Sequence, residues 1–408
     1  MFNKASLSKG DKMELLSPAG TLEKLKVAVD YGADAVYLGV KKLSLRERAG
    51  NFTIEELEEG INYAHKRGVK VYVTLNAFLK NKDLKEFKTL IKEIAPLKPD
   101  AFIVSDIGGL SVALENTNIP IHISTQANVT NYEAVKVYKS LGASRVVLAR
   151  ELSLEEIKEI KEKVPEMEIE VFVHGALCMA YSGRCLLSNY LSKRDSNKGA
   201  CSQSCRWKYY VMEEKREGEL YQIEEDSHGT YIFNSKDLCA LPVLDKLYDA
   251  GVDSVKIEGR VKSSYYVAVT TAIYRKAIDL IKRGEREKFK EKVGKFIEEL
   301  EKVSHRPYTT GFLTGEKELQ HFETSSYIRN YRFLGIYKNG IWQIRNRIKT
   351  GTKVELFFKE GFSKETEIVS ITKDESQIEE AHPNFKVKID FKDKIAITEL
   401  TILREKIT

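Results

Sequence analysis

The chain has 408 residues, more than one hydrophobic core usually holds, so a large domain with a smaller companion is the natural division. Sixty-six Lys and Arg against sixty Asp and Glu leave a formal charge of +6, too small to name a polyanionic partner from the total. The opening MFNKASLSKGDK is polar and no eighteen apolar residues run uninterrupted, so neither a signal peptide nor a membrane span is expected and the chain is placed in the cytoplasm.

Past that polar tail at 1–12, short β-branched runs alternate with amphipathic stretches, the pattern of parallel strands joined by helical crossovers. Strands are expected at Met13–Ser17, Ala35–Val40, Val69–Asn76, Ala101–Asp106, Ile119–Ser124, Arg145–Arg150, Ile169–His174 and Ser254–Gly259. Helices are expected between them at Ile54–Lys66, Leu84–Ile94, Ala134–Leu141 and Leu154–Lys163, several opened by a capping Thr, Asn or Ser. Eight strands predict an α/β fold, a (β/α)8 TIM-like barrel over residues 13–305. The segments YGADAVYLGV, RGVKVYVTLN, LGASRVVLAR and AGVDSVKIEG each put a glycine between a helix end and a strand, as a left-handed cap requires. The step to the last of them is too long for two βα units, which marks an insertion at about 176–233 after strand seven, ahead of a helix expected at Leu238–Ala250. Loops that follow strands form the catalytic face of such a barrel. Residues 306–330, rich in Thr, Ser, Gly and Tyr, read as a linker. From 331 to 408 the pattern turns to period two, clearest in Phe385–Asp390, and predicts a small C-terminal β-barrel.

Four of the five cysteines, Cys178, Cys185, Cys201 and Cys205, fall in the insertion with the spacing C-x6-C-x15-C-x3-C. Thiols gathered in one loop of a cytosolic chain point to soft-metal ligation rather than to disulfides, which reducing cytosol does not maintain. Structural zinc favours tight pairs at both ends, and only Cys201 and Cys205 approach that spacing. Buried, unligated thiols scatter through strands and helices, whereas these lie among glycines and serines. A four-thiolate 4Fe-4S cluster fits the count, softness and irregular spacing best. Cys239 opens an apolar, helical stretch and reads as packing.

The run EVFVHGALCMAYSGRCLLS (Glu170–Ser188) resembles the signature of peptidase family U32, and GACSQSCRWKY, NSKDLC and SVKIEGR are similar to its later motifs. SLRERAGNF (Ser44–Phe52) and HISTQANVTN (His122–Asn131) bring the chain nearest to the branch that forms 5-hydroxyuridine in tRNA. The resemblance implies oxygen-independent hydroxylation of uridine at wobble position 34, with prephenate as cosubstrate and tRNA as partner. It also implies an iron–sulfur cluster on Cys178, Cys185, Cys201 and Cys205, and leaves room for a paralogous U32 partner. Sister branches act on ribosomal RNA cytidine or on ubiquinone precursors, and the family label suggests a collagenase-like peptidase. For peptidase chemistry no H-E-x-x-H or G-x-S-x-G occurs, although His174 with Cys178 imitates a Cys–His pair. An iron–sulfur RNA-binding or redox-sensing module is the non-enzymatic alternative.

The residues themselves agree with an RNA substrate. Arg184, Lys193, Arg194, Lys198, Arg206 and Lys208 stand against the single acid Asp195, interleaved with Tyr190 and Trp207, offering cations to phosphates and rings to splayed bases. The alternative is a solvated loop. Arg46 and Arg48 after strand two, Arg150 after strand six, and Lys256 and Arg260 at strand eight are candidates for gripping the two carboxylates of prephenate. Lys256, Glu258 and Arg260 alternate and so share one strand face, where a purely structural ion network is the competing reading. His174, at the end of strand seven, and Glu258 are the proton-transfer candidates. Asn76 and Gln126, with Asn128 and Asp106, end strands and are placed to read a base edge or orient water.

Overall fold

The structure is a computed structural model and describes residues 13–41, 51–178, 180–194, 196–198, 201–206, 225–226, 229–230, 235–316 and 327–407. Runs such as AVYLG and AFIV are buried at every position, as strands covered on both faces must be. Eight of them pair in parallel: β1 (Glu14–Pro18), β2 (Ala35–Gly39), β3 (Lys70–Thr74), β4 (Ala101–Val104), β5 (Ile121–Ile123), β6 (Arg145–Val147), β7 (Glu168–Ala176) and β8 (Ser254–Ile257). They follow the order β8-β1-β2-β3-β4-β5-β6-β7, and a β7–β8 pairing closes the ring. Outside it lie α1 (Leu22–Asp30), α2 (Ile54–His65), α3 (Asn81–Ile94), α4 (Ile107–Asn116), α5 (Tyr132–Ser140) and α6 (Leu154–Lys163). The short α7 (Leu187–Ser192) belongs to the cysteine loop, and α8 (Leu244–Asp249), α9 (Ser264–Lys282) and α10 (Arg286–Leu300) complete the layer. Thr53 with Glu56 and Ser153 with Glu156 form capping boxes at the starts of α2 and α6. The repeated glycines Gly32, Gly68, Gly142 and Gly251 all have positive φ, between +72° and +100°, as helix-ending caps require.

Two departures from the sequence reading concern the top of β7. That strand outruns its neighbours, and its exposed backbone edge is met by a short strand, Asp237–Cys239, running antiparallel to it with Cys239 opposite His174. The helix expected from Leu238 therefore begins only at Leu244, as α8, because strand pairing claims the residues before it. Tyr308–Thr309, inside the stretch read as linker, lies parallel to Asp237–Leu238 and extends the same sheet.

The C-terminal residues form a second barrel of six antiparallel strands: β9 (Tyr331–Lys338), β10 (Ile341–Ile344), β11 (Lys353–Phe357), β12 (Ser363–Lys373), β13 (Lys386–Phe391) and β14 (Ile402–Lys406). The order β11-β14-β9-β10-β13-β12 closes through β11–β12. Along β13 Val387 and Ile389 are buried while Lys386, Lys388 and Asp390 are exposed, which is the period-two signal read from the sequence. Polar bonds fasten this barrel to the outer helices of the first. Glu23 accepts from Ser264 at 2.5 Å, from Arg345 at 2.7 Å and from Lys338. The Tyr31 hydroxyl donates to Leu400 O at 2.9 Å, and the buried Arg404 pairs with Glu355 at 2.6 Å and with Glu299.

Candidate functional site

The interior of the first barrel holds charge where branched apolar side chains are usual. Arg145 of β6 reaches Glu14 of β1 at 2.6 Å, Glu170 of β7 at 3.0 Å and the half-exposed Glu168 at 2.8 Å. Tyr72 and Lys70 of β3, at 2.8 and 3.0 Å, and Ser254 Oγ of β8, at 3.3 Å, also donate to Glu14. Lys256 of β8 pairs with the other oxygen of Glu170 at 2.9 Å and lies 4.4 Å over the Tyr37 ring. Burial alone would lift both carboxylates, but Arg145, aided by Lys70, holds Glu14 below the usual range, and Lys256, aided by Arg145, does the same for Glu170. Desolvation lowers the Lys256 ammonium despite Glu170. The two acids and two bases at its centre are thus stacked from the barrel floor to just beneath its mouth. For Lys256 this realises the structural ion-network reading, and it leaves the residue lining the mouth as well.

That mouth is a cavity of about 470 Å³, counted out to its opening. One wall, from β3 to β5, carries Thr74, Asn76, Ser124, Thr125 and Gln126; the other, from β6 to β8, carries Arg150, Phe172, Lys256, Glu258 and Arg260. Arg150 lies 3.8 Å over the Phe172 ring. Arg260 donates to Thr74 Oγ1 at 3.1 Å and to Asn51 Oδ1 at 2.5 Å, so its guanidinium is held across the barrel from its own strand. Asn76 Nδ2 donates to Gln126 Oε1 at 3.2 Å and to Ser124 Oγ at 3.3 Å, and Ser124 Oγ donates to Gln126 Oε1 at 2.5 Å. The structure thus brings together Asn76, Gln126, Arg150, Lys256, Glu258 and Arg260. Tyr37, Thr74, Ser124 and Phe172 went unnamed in the sequence, although Thr74 and Ser124 stand two positions before the named Asn76 and Gln126 and share their parity. Asp106 instead caps α4, accepting from Gly109 N at 2.8 Å. Arg46, Arg48, Trp207 and Lys208 lie outside the described residues, as does the Arg206 side chain.

His174 does not line the cavity. Residues 170 and 172 face inward, but the ladder to β8 shifts register after Phe172, pairing His174 with the outward Ile257 and leaving Val173 as the extra residue. This bulge turns His174 out of the barrel, where alternation would have kept it in. Its ring sits among Tyr266, Tyr274 and Tyr308, with centroids 5.9, 5.5 and 5.3 Å away. Burial, with His305 and Lys262 adding to it, drops its pKa to about 3. Between pH 6.5 and about 3 the unfolded chain binds a proton here that the folded chain refuses, so stability falls as pH is lowered through that window. A His174→Gln variant is expected to flatten this dependence. Urea midpoints at pH 7 and about pH 4 check it, and an unchanged slope would refute the assignment.

The cysteine loop folds back over the mouth. Arg184 donates to Gln126 O at 3.0 Å, Asn128 to Tyr181 O at 3.0 Å, and Phe78 N to Asn197 O at 3.3 Å. Ser182 donates through its backbone N–H to Glu151 at 2.6 Å. Loops after β3, β5 and β6 therefore all hold this roof. Cys178 is exposed as a residue, yet its thiol is hemmed in: desolvation lifts its pKa, Cys185 and Cys201 add to the rise by repelling a thiolate, and Arg150 pulls the other way. Cys201 Sγ accepts from Gln203 N at 3.4 Å, and Arg194 donates to Cys201 O at 3.4 Å. Three thiols are electrostatic neighbours, and the donor set is soft, which suits iron or zinc. Among the described residues no group of three or more His, Cys, Asp or Glu is arranged to hold a metal ion, so ligation requires these thiols to draw closer. Cys239 lies apart, buried with its sulfur 3.9 Å from the Tyr274 hydroxyl, and burial raises its pKa to about 11. Lys193 is exposed on the same roof, as are the rings of Tyr181 and Tyr190. Among the described residues no helix is long and apolar enough to cross a membrane.

The sequence profile of Peptidase family U32 matches residues 20–323. The chain is 42% identical over 399 residues to the Escherichia coli (strain K12) tRNA hydroxylation protein P, covering 86% of this chain and 87% of that one. It is 42% identical over 358 residues to the Bacillus subtilis (strain 168) tRNA hydroxylation protein P1, covering 85% and 83%. A Porphyromonas gingivalis protein named collagenase is 35% identical over 315 residues, with 74% of each chain covered.

Proposed function

This chain belongs to peptidase family U32, and from that premise we propose that it hydroxylates tRNA, forming 5-hydroxyuridine at wobble position 34 with prephenate as cosubstrate and without molecular oxygen. The observation that carries the reading is 42% identity along 86% of the chain to a relative named for tRNA hydroxylation. Cys178, Cys185, Cys201 and Cys205 would hold a 4Fe-4S cluster above the mouth. Bound there, such a cluster supplies one-electron transfer or Lewis acidity. Arg150 and Arg260 would take the carboxylates of the cosubstrate, with Lys256 adding positive charge from below while paired to Glu170. Glu258 is the titratable carboxyl among the cavity residues and the remaining candidate for proton transfer. Arg184, Lys193 and Arg194 on the roof would meet tRNA phosphates, and the exposed Tyr190 ring would offer a surface for an unstacked base.

Mass spectrometry of tRNA nucleosides from cells with and without this gene tests the reading. Loss of 5-hydroxyuridine derivatives on deletion, restored by the intact gene, is expected; unchanged levels in cells with no redundant pathway would end it. Cleavage of denatured collagen by the pure protein, with tRNA unaltered, would instead favour the activity for which the Porphyromonas relative is named.

Arg260→Ala is expected to keep the cluster spectrum and raise the prephenate concentration needed for half-maximal modification by about tenfold to a hundredfold, the scale of one or two charge-assisted hydrogen bonds. A titration of prephenate against modified tRNA reads this directly, and an unaltered requirement would remove Arg260 from the site.

A further inference from the structure

The two walls of the mouth differ in kind. Charges gather on β6 to β8, whereas the wall from β3 to β5 carries no charge, only amides and hydroxyls beside the apolar Ile103. Within that neutral wall one group is fixed by its neighbours. Gln126 Oε1 accepts from both Asn76 Nδ2 and Ser124 Oγ, so both of its lone pairs are spent. Asn76 and Ser124 are themselves buried, at 8% and 4% exposure, and cannot swing away to release it. The Gln126 backbone carbonyl is also held, by Arg184 of the roof. What the half-buried Gln126 side chain can still offer to the cavity it lines is the pair of hydrogens on Nε2.

We propose that Gln126, locked in this orientation by Asn76 and Ser124, is the residue that selects uracil over cytosine in the substrate base. The inference rests on the uridine-hydroxylating reading above and adds to it the basis of base choice. At position 4 uracil carries a carbonyl acceptor and cytosine an amino donor. A fixed N–H donor pairs with the first and confronts the second with donor against donor, leaving buried hydrogens unpaired. Sites built to make such a bond reject the analogue that cannot make it far more strongly than an apolar pocket rejects an extra methylene. The choice of position 4 is also mechanistically apt, because that carbon adjoins the C5 to be hydroxylated, so the contact that identifies the base also positions its reacting carbon. The charged wall opposite is left to the carboxylates of the cosubstrate.

The test uses the complete holoprotein, its cosubstrate, and two anticodon stem-loop RNAs identical except for uridine or cytidine at the target position. Wild type is expected to favour the uridine RNA. Gln126→Glu, which replaces the donor with an acceptor, is expected to lower turnover of uridine RNA about tenfold or more and to move the uridine-to-cytidine ratio toward cytidine. The half-saturating prephenate concentration should stay as in wild type. Ser124→Ala, which releases the lock without changing the donor, should move the ratio in the same direction by a smaller factor. Where a variant turns over neither RNA, competition between the two RNAs for binding is measured for it and for wild type, and the two binding ratios are compared. A ratio equal to that of wild type in Gln126→Glu, by turnover or by competition, overturns the assignment. Wild type that hydroxylates neither RNA refutes the proposed function itself, and this inference falls with it.

Discussion

A Cys185→Ser protein purified without oxygen is expected to lack the brown colour and the roughly four irons of a four-thiolate cluster, and to leave tRNA unmodified. The argument is one of ligand number and of place. Cys185 is an electrostatic neighbour of Cys178, and its backbone is pinned on both sides: Asn197 accepts from its N–H at 3.2 Å, while Ser196 and Asn197 donate to its carbonyl at 2.6 and 3.1 Å. Serine keeps these backbone bonds, so the roof should stay closed while the soft ligand is replaced by a hard, protonated hydroxyl. Thermal unfolding of the iron-free proteins separates the two effects, since wild type and variant should melt alike. A variant that keeps its iron and its full activity would remove Cys185 from the ligand set and undo the catalytic role given to the loop.

The second large effect lies in the barrel floor. Arg145→Ala should destabilise the protein by about 3–5 kcal/mol, the usual consequence of removing one partner from a buried ionic group. Glu14 and Glu170 would then face each other's charge across the gap, with only Lys70 and Lys256 to answer them. The pH dependence should weaken as well. In wild type both carboxylates titrate below their ordinary value, so they contribute stability above the unfolded pKa of about 4.5 that is lost as pH falls through the folded values. Without Arg145, Glu14 loses its strongest cationic partner and Glu170 keeps only Lys256, so both folded pKa values move upward toward the unfolded one. The stability lost between neutral pH and acid should then be smaller than in wild type. Urea unfolding on both sides of pH 4.5 reads both effects, and a loss under about 1 kcal/mol at pH 7 would show that the network is dispensable.

Much of the first barrel was legible because its strands are covered on both faces and therefore read as short apolar runs. All eight expected strands occur, shifted at their ends by a few residues where apolar character gives way to Asn, Asp, Gln and Arg at the mouth. The glycine caps were legible for the same local reason. The ion network was not, since Glu14 and Arg145 are separated by 131 positions and only closure of the ring makes them neighbours. At the site, Asn76, Gln126, Arg150, Lys256, Glu258 and Arg260 were found from strand-end position, which a barrel converts directly into a shared cavity. His174 was misplaced because a bulge is a property of two strands in register, and nothing within EVFVHGA announces it. Cys239 was read as helical because its own residues are apolar and its pairing partner lies far earlier in the chain.

That single extra residue at Val173 has an evolutionary reach beyond its few ångströms. Deleting that residue would leave the imidazole outward, directly after the inward Phe172; drawing the strand flat with every residue kept would instead restore strict alternation and swing the ring from its tyrosine nest toward the cavity. Gain or loss of one such kink is therefore a route by which a scaffold of this kind exchanges the side chains it presents to its interior. Comparing this stretch of strand among U32 proteins of different substrate would be an economical place to look for how one architecture came to serve several chemistries.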